Sequence, residues 1–160
     1  MRGVTIIAVG RLKDRFYEDA AAEYIKRLGR YEKLNIIEVK ASDLPPDASD
    51  SDIAAALARE EAEILKKIPS SALCVAMCIE GREYSSEALA GFIDSAAGRG
   101  KSEICFIIGG SFGLSEAVKN RCDTRMSMSP MTFPHRLARI MLLEQLYRAE
   151  KIIAGEPYHK

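Results

Sequence analysis

The chain has 160 residues, 48% of them hydrophobic and 29% charged, with 23 basic residues balanced by 23 acidic ones. This composition fits one soluble globular domain spanning 1–160, and excludes both a disordered chain and a protein that holds nucleic acid mainly by bulk charge. The opening Met1 to Val9 is too short for a signal segment and no apolar run approaches bilayer-spanning length, so a cytoplasmic location without a membrane partner is expected.

Val4 to Val9 is a β-branched run closed by Gly10, the pattern of a buried strand. Phe16, Ala20, Tyr24 and Leu28 recur at helical spacing over Asp14 to Leu28, with Gly29 as a stop. Asn35 to Lys40 is a second strand. Ala41 to Ser51, with Pro45 and Pro46 amid Asp and Ser, is a long loop, and Asp52 to Ile68 is an amphipathic helix ended by Pro69. Ala72 to Ile79 is apolar on both parities, so it is expected at the sheet centre, followed by a turn at Glu80-Gly81. A helix capped by Ser85 or Ser86 runs to about Ala97. Glu103 to Ile108 is the next buried strand, and Gly109-Gly110 ends it. A short helix from Ser115 to Cys122, a weak strand around Arg125 to Ser129 and a long helix from Pro134 to Ala154 complete the chain. Strands alternating with helices predict a single-domain α/β/α sandwich with a mostly parallel sheet, whose ligands bind beyond the carboxyl ends of the strands.

Cys74, Cys78, Cys105 and Cys122 form no CxxC pair, and three lie inside apolar runs, which predicts buried reduced thiols. His135 and His159 are far from them in sequence, so no metal is implied.

Three segments carry the candidate chemistry. In Ile107 to Ser115, three glycines after a strand allow a sharp turn and let a ligand lie against the backbone; a plain strand-to-helix turn is the alternative. The spacing is G-G-x-x-G, so it is not a dinucleotide fingerprint. Gly100-Lys101-Ser102 imitates the tail of a phosphate-binding loop, but Ser95 stands where the motif needs glycine, and a strand follows where a helix should. In Met126 to Arg136, small polar and flexible apolar residues enter a helix, with Pro134 suited to its first turn and Thr132 or Phe133 near the cap. Such a loop offers backbone donors and acceptors between Met and Phe walls, as an adenine ring requires; an ordinary connection is equally compatible. The last helix is apolar over more than one stripe, through Leu137, Ile140, Met141, Leu142, Leu143, Leu146 and Tyr147, which predicts a homodimer packed through it, with full burial inside one subunit as the alternative. Tyr158 and His159 in the tail are side chains suited to a site where a proton is removed.

The segments IIGGSFGLS, S-x-S-P-M-T-F-P-H, LLEQLYRA and the terminal GEPYHK, in that order, together with the AVGRLKD start, resemble the RlmH family. These are SPOUT-class pseudouridine methyltransferases acting on large-subunit ribosomal RNA, and the resemblance covers essentially the whole chain. It implies a C-terminal trefoil knot, which no sequence period reveals. It implies S-adenosylmethionine bound by Met77, Gly109, Met128, Ser129, Pro130, Met131, Thr132 and Phe133. It further implies methyl transfer to N3 of a pseudouridine in large-subunit ribosomal RNA; the neutral charge of so small a protein leans toward the assembled ribosome over naked RNA as the substrate. His135 and Arg139, with Tyr158 and His159 from the other subunit, are then expected to bind and orient the target. Lys160 stands where some members carry arginine, and Met77 where leucine is common. A non-catalytic ribosome-binding factor of the same fold is the alternative, although it would not need a complete cofactor loop.

Overall fold

The computed structural model describes residues 1–160. In chain order the elements are β1 (Arg2–Val9), α1 (Arg15–Leu28), β2 (Glu32–Val39), α2 (Asp50–Lys67), β3 (Leu73–Glu83), α3 (Ser86–Gly98), β4 (Glu103–Ile108), α4 (Glu116–Arg121), β5 (Thr124–Ser127) and α5 (His135–Ile153). The strands form one sheet in the order β2-β1-β4-β3-β5, with every neighbouring pair parallel. The α/β sandwich expected from the alternating pattern is therefore present, and its sheet is parallel throughout.

A parallel sheet needs cover on both faces, and β1 shows why. Val4, Ile6 and Ala8 enter one apolar cluster while Ile7 and Val9 enter another. α1, α3 and α5 close the first face through residues such as Leu28, Ile93, Leu142 and Leu146, and α2 and α4 close the second through Ile64 and Val118. α2 starts before its apolar pattern does because Ser49 caps it. The Ser49 hydroxyl accepts from the Asp52 amide at 3.2 Å, and the Asp52 carboxylate accepts from the Ser49 amide at 3.1 Å.

Several expectations are corrected. The middle strand is β4; β3, carrying Ala72 to Ile79, lies between β4 and the edge strand β5. Glu80-Gly81 is not a turn, since β3 continues to Glu83. Met77 and Arg82 both pair with Met126, so the intervening residues bulge out before the strand rejoins β5. Gly81 makes this possible: a Cβ there would lie 2.6 Å from the Met126 backbone. Of the four free cysteines, only Cys74 and Cys105, opposite each other on β3 and β4, are fully buried. Pro134 precedes α5 as its cap residue, with ψ 137°, and the helix begins at His135.

α5 buries Leu142, Leu143, Leu146 and Ala149 within its own chain and leaves Leu137, Ile140, Met141 and Tyr147 half-exposed. At the amino end of the sheet, Glu32 is 1% exposed beside Glu150, which pairs with Arg2. Burial, and then the neighbouring Glu150, pushes the Glu32 carboxyl far above its ordinary value, and neither of its buried oxygens has a hydrogen-bond partner. No helix is long and apolar enough to cross a membrane.

Candidate active site

The carboxyl ends of β3, β4 and β5 open onto a cleft of about 830 Å³, within the range of small-molecule sites. Its walls bring together Met77 on β3, which the resemblance implied, and two segments singled out in the sequence, the glycine turn after β4 and the loop after β5. Of the eight residues expected to contact a cofactor, Met77, Gly109, Met128, Ser129, Met131, Thr132 and Phe133 line the cleft. Pro130 is not among its lining residues.

The glycine turn owes its shape to Gly109 and Gly113. A Cβ on Gly109 would stand 2.5 Å from the Gly113 carbonyl carbon and 2.6 Å from its oxygen, while Gly113 itself has φ +75°. The chain thus doubles back on itself at van der Waals distance, which only glycine permits. Ser115 then caps α4, its hydroxyl accepting from the Val118 amide.

The second wall is tied by serines. Ser127 Oγ donates to the Ser129 carbonyl at 3.0 Å and accepts from the Ser129 amide at 3.2 Å, and Ser129 Oγ accepts from the Met131 amide at 3.0 Å. These local bonds fix the loop without using every peptide group. The amides of Met128, Thr132 and Phe133 donate to no other group of the chain. Free backbone donors in a cleft also lined by Met77, Leu114 and Phe133 combine polar and apolar surface, as a nucleoside requires. Lys119 and Glu80 form an ion pair on the cleft wall, which sequence reading did not single out. The hydrogen bond from Lys119 holds the Glu80 carboxyl below its usual range.

His135 lines the cleft where α5 begins. Burial lowers its pKa below the ordinary 6.5, and the positive charges of Arg136, Arg139 and Lys13 lower it further. It is a neutral imidazole at pH 7, able to accept a proton. Arg139 does not reach the cleft. It is 3% exposed and donates to the Glu38 carboxylate and the Gly10 carbonyl, each at 2.7 Å, pinning the turn after β1.

The tail folds back on its own α5. The Tyr158 hydroxyl donates to Glu144 Oε1 at 3.1 Å, its ring meets Tyr147 edge-on at 4.8 Å, and the Arg148 guanidinium lies 4.7 Å from its centre. Burial and the adjacent Glu144 raise the Tyr158 phenol above its ordinary pKa. His159 is 2.8 Å from Glu87 on α3 and 3.3 Å from Arg148. Neither residue lines the cleft of its own chain.

A parallel α/β sheet with a ligand-sized cleft at its carboxyl edge is an α/β enzyme architecture, and the family model described as predicted SPOUT methyltransferase matches residues 2–159, which makes the chain a SPOUT-class methyltransferase. The ribosomal RNA large subunit methyltransferase H of Bifidobacterium adolescentis is 50% identical, and that of Clostridium botulinum (strain Alaska E43 / Type E3) 48%. Each match covers 98% of this chain and 99% of the relative. The chain belongs to this RlmH family. Among solved structures, the tRNA (m1G37) methyltransferase of Aquifex aeolicus superposes with a TM-score of 0.57 at 12% identity, covering 99% of this chain and 75% of that one. A probable methyltransferase of Bordetella pertussis Tohama I superposes with a TM-score of 0.53 at 17% identity, covering 93% and 96%. These two share the fold.

Proposed function

We propose that the protein methylates N3 of a pseudouridine in large-subunit ribosomal RNA, using S-adenosylmethionine, on the assembled ribosome in the cytoplasm. The observation that carries this reading is the cleft itself: free backbone donors and apolar walls gather at three strand ends of a chain that matches large-subunit ribosomal RNA methyltransferases along its length. A trefoil-knotted path through the C-terminal segments belongs to the same reading.

Met77, Gly109 and the Met128–Phe133 loop would hold the methyl donor, whose sulfonium supplies an electrophilic methyl group and leaves as a neutral thioether. The cleft orients the donor, so that nitrogen attack proceeds in line. As N3 gains the methyl it loses its proton. His135, neutral and on the cleft wall, accepts that proton at an imidazole nitrogen, and the surrounding cations favour its onward release to solvent. Arg139 supports this from behind by fixing Gly10, rather than by touching the target.

Tyr158 and His159 enter the reading through a partner subunit. Two copies packed along the half-exposed apolar residues of α5 would carry each tail to the other subunit's cleft, so the homodimer is part of the proposal.

The test supplies methyl-labelled S-adenosylmethionine with assembled ribosomes, free large-subunit RNA or no RNA, the ribosomes coming from cells that lack the endogenous enzyme. The expected result is label in ribosomal RNA of the assembled particle. Bound cofactor with no label in any sample would refute the reading and favour a binding factor.

A further inference from the structure

Beside the first cleft, at the carboxyl ends of β2, β1 and β4, lies a second of about 530 Å³. The two share His135 and the Gly110–Phe112 wall, so an occupant of one abuts an occupant of the other. Arg11, Lys13, Lys40 and Arg136 line the second cleft. None of the four has a carboxylate within 4.0 Å. Glu38 and Asp43 line the cleft too, but Glu38 is paired with Arg139, so the four cations outnumber the remaining acids and leave a modest local excess of positive charge beside the candidate proton acceptor.

The floor carries the opposite feature. Glu60, projected from α2, is 4% exposed, and its Oε2 accepts from the Ser42 amide at 3.0 Å. Its Oε1 has no hydrogen-bond partner and sits against Gly110, where a Cβ would be 3.8 Å away. A buried carboxylate oxygen without a donor is costly, and water scarcely reaches this one. The terminal torsion of a glutamate is soft, so a small turn of the carboxylate offers an oxygen to an N–H brought in through the cleft.

We propose that the second cleft seats the target nucleotide, its flanking phosphates on Arg11, Lys13, Lys40 and Arg136, with Glu60 accepting the N1–H of the base. The inference rests on the methyl-transfer reading above and names the residue that selects its substrate. Pseudouridine has two ring N–H groups, N1 and N3, on either side of one carbonyl. Uridine keeps N3–H but spends N1 on its glycosidic bond. With N3 turned toward the first cleft, N1–H is the group left to meet a wall acceptor, and it is the group that separates the two nucleosides. A site built around such a hydrogen bond strongly rejects an analogue that cannot make it.

The test compares methyl transfer to ribosomes carrying pseudouridine or uridine at the target position, for the wild type and for Glu60→Gln. In the variant the amide oxygen serves Ser42 and an NH2 group faces the base, donor against donor. The expected result is a loss of at least about tenfold in kcat/KM on pseudouridine, with a much smaller change on uridine, so that selectivity collapses. A parallel fall on both substrates, or wild-type selectivity retained, overturns the role of Glu60. The phosphate contacts are tested with exposed side chains that do not endanger folding. The double variant Lys13→Ala, Lys40→Ala should reduce the slope of log affinity for target RNA against log salt by roughly 1.5, and an unchanged slope overturns the RNA seat. If the wild type transfers no methyl to either ribosome, the parent reading fails and this one with it, an outcome distinct from transfer without selectivity.

Discussion

Gly109→Ala puts the candidate cofactor site under the most direct strain. The added methyl carbon would meet the Gly113 carbonyl at 2.5 to 2.6 Å, so one strand of the glycine turn must retreat by about 1 Å to restore van der Waals contact. The obstacle is backbone, which no rotamer change can relieve. Overpacking of this kind costs about 1–3 kcal/mol, and a displacement near 1 Å in a positioning element costs on the order of 100-fold in rate. The matched control is Gly91→Ala, inside α3, where nothing lies within 4 Å of the new carbon; it should stabilise the protein by about 0.5–1 kcal/mol. The assay is thermal unfolding of both variants with and without S-adenosylmethionine, together with calorimetric titration. Gly109→Ala should lose at least tenfold in affinity and most of the ligand-induced rise in Tm, while Gly91→Ala retains both. A Gly109→Ala protein that binds S-adenosylmethionine within twofold of the wild type would refute the placement of the cofactor against this turn.

His135 should set the acid limb of the pH–rate profile. Its folded pKa lies below 6.5, so the rate should be lost only as pH falls beneath that value. His135→Gln should remove the limb and reduce the rate by roughly 100-fold or more; a variant that keeps the limb would assign it to another group. Arg139→Met removes two hydrogen bonds from a side chain 4% exposed. Because Glu38 is 41% exposed, the loss should fall near the lower end for such pairs, about 3 kcal/mol by urea unfolding. Glu32 carries an acid pKa raised by burial, so the folded state binds more protons than the unfolded state above the ordinary carboxylate range. Stability should therefore decline as pH rises beyond about 4.5. Glu32→Gln should flatten that slope and stabilise the protein at pH 8, and a slope unchanged in the variant would place the buried proton elsewhere.

The sequence was most legible where a single segment carries the whole signal. Ile107 to Ser115 and Met126 to His135 declare themselves by glycine, serine and proline after apolar runs, and the sheet brings both to the first cleft. Gly81 was misread because a glycine after acid marks a turn in most chains. Here it allows β3 to pass the Met126 backbone, a contact made with a strand more than 40 residues away. The partners of Arg139 were not legible either: the resemblance placed it at the target, and Glu38 and Gly10, which it holds, belong to the other end of the chain. The second cleft was hidden as a unit, since beyond Gly110–Phe112 and the start of α5 it is assembled from the ends of β1 and β2 and one side chain of α2. Glu60 sits in an ordinary acidic helix surface by sequence, and only its burial beneath Ser42 distinguishes it from Glu61 or Glu63.

The most direct test of the central claim is the chemical position of the transferred methyl. Ribosomes from cells lacking the endogenous enzyme, treated with the protein and S-adenosylmethionine, would be digested to nucleosides and resolved by mass spectrometry against N1- and N3-methylpseudouridine standards. N3-methylpseudouridine, appearing in large-subunit RNA and absent without the protein, is the predicted result. A methyl group on another nucleoside, or on N1, would contradict it.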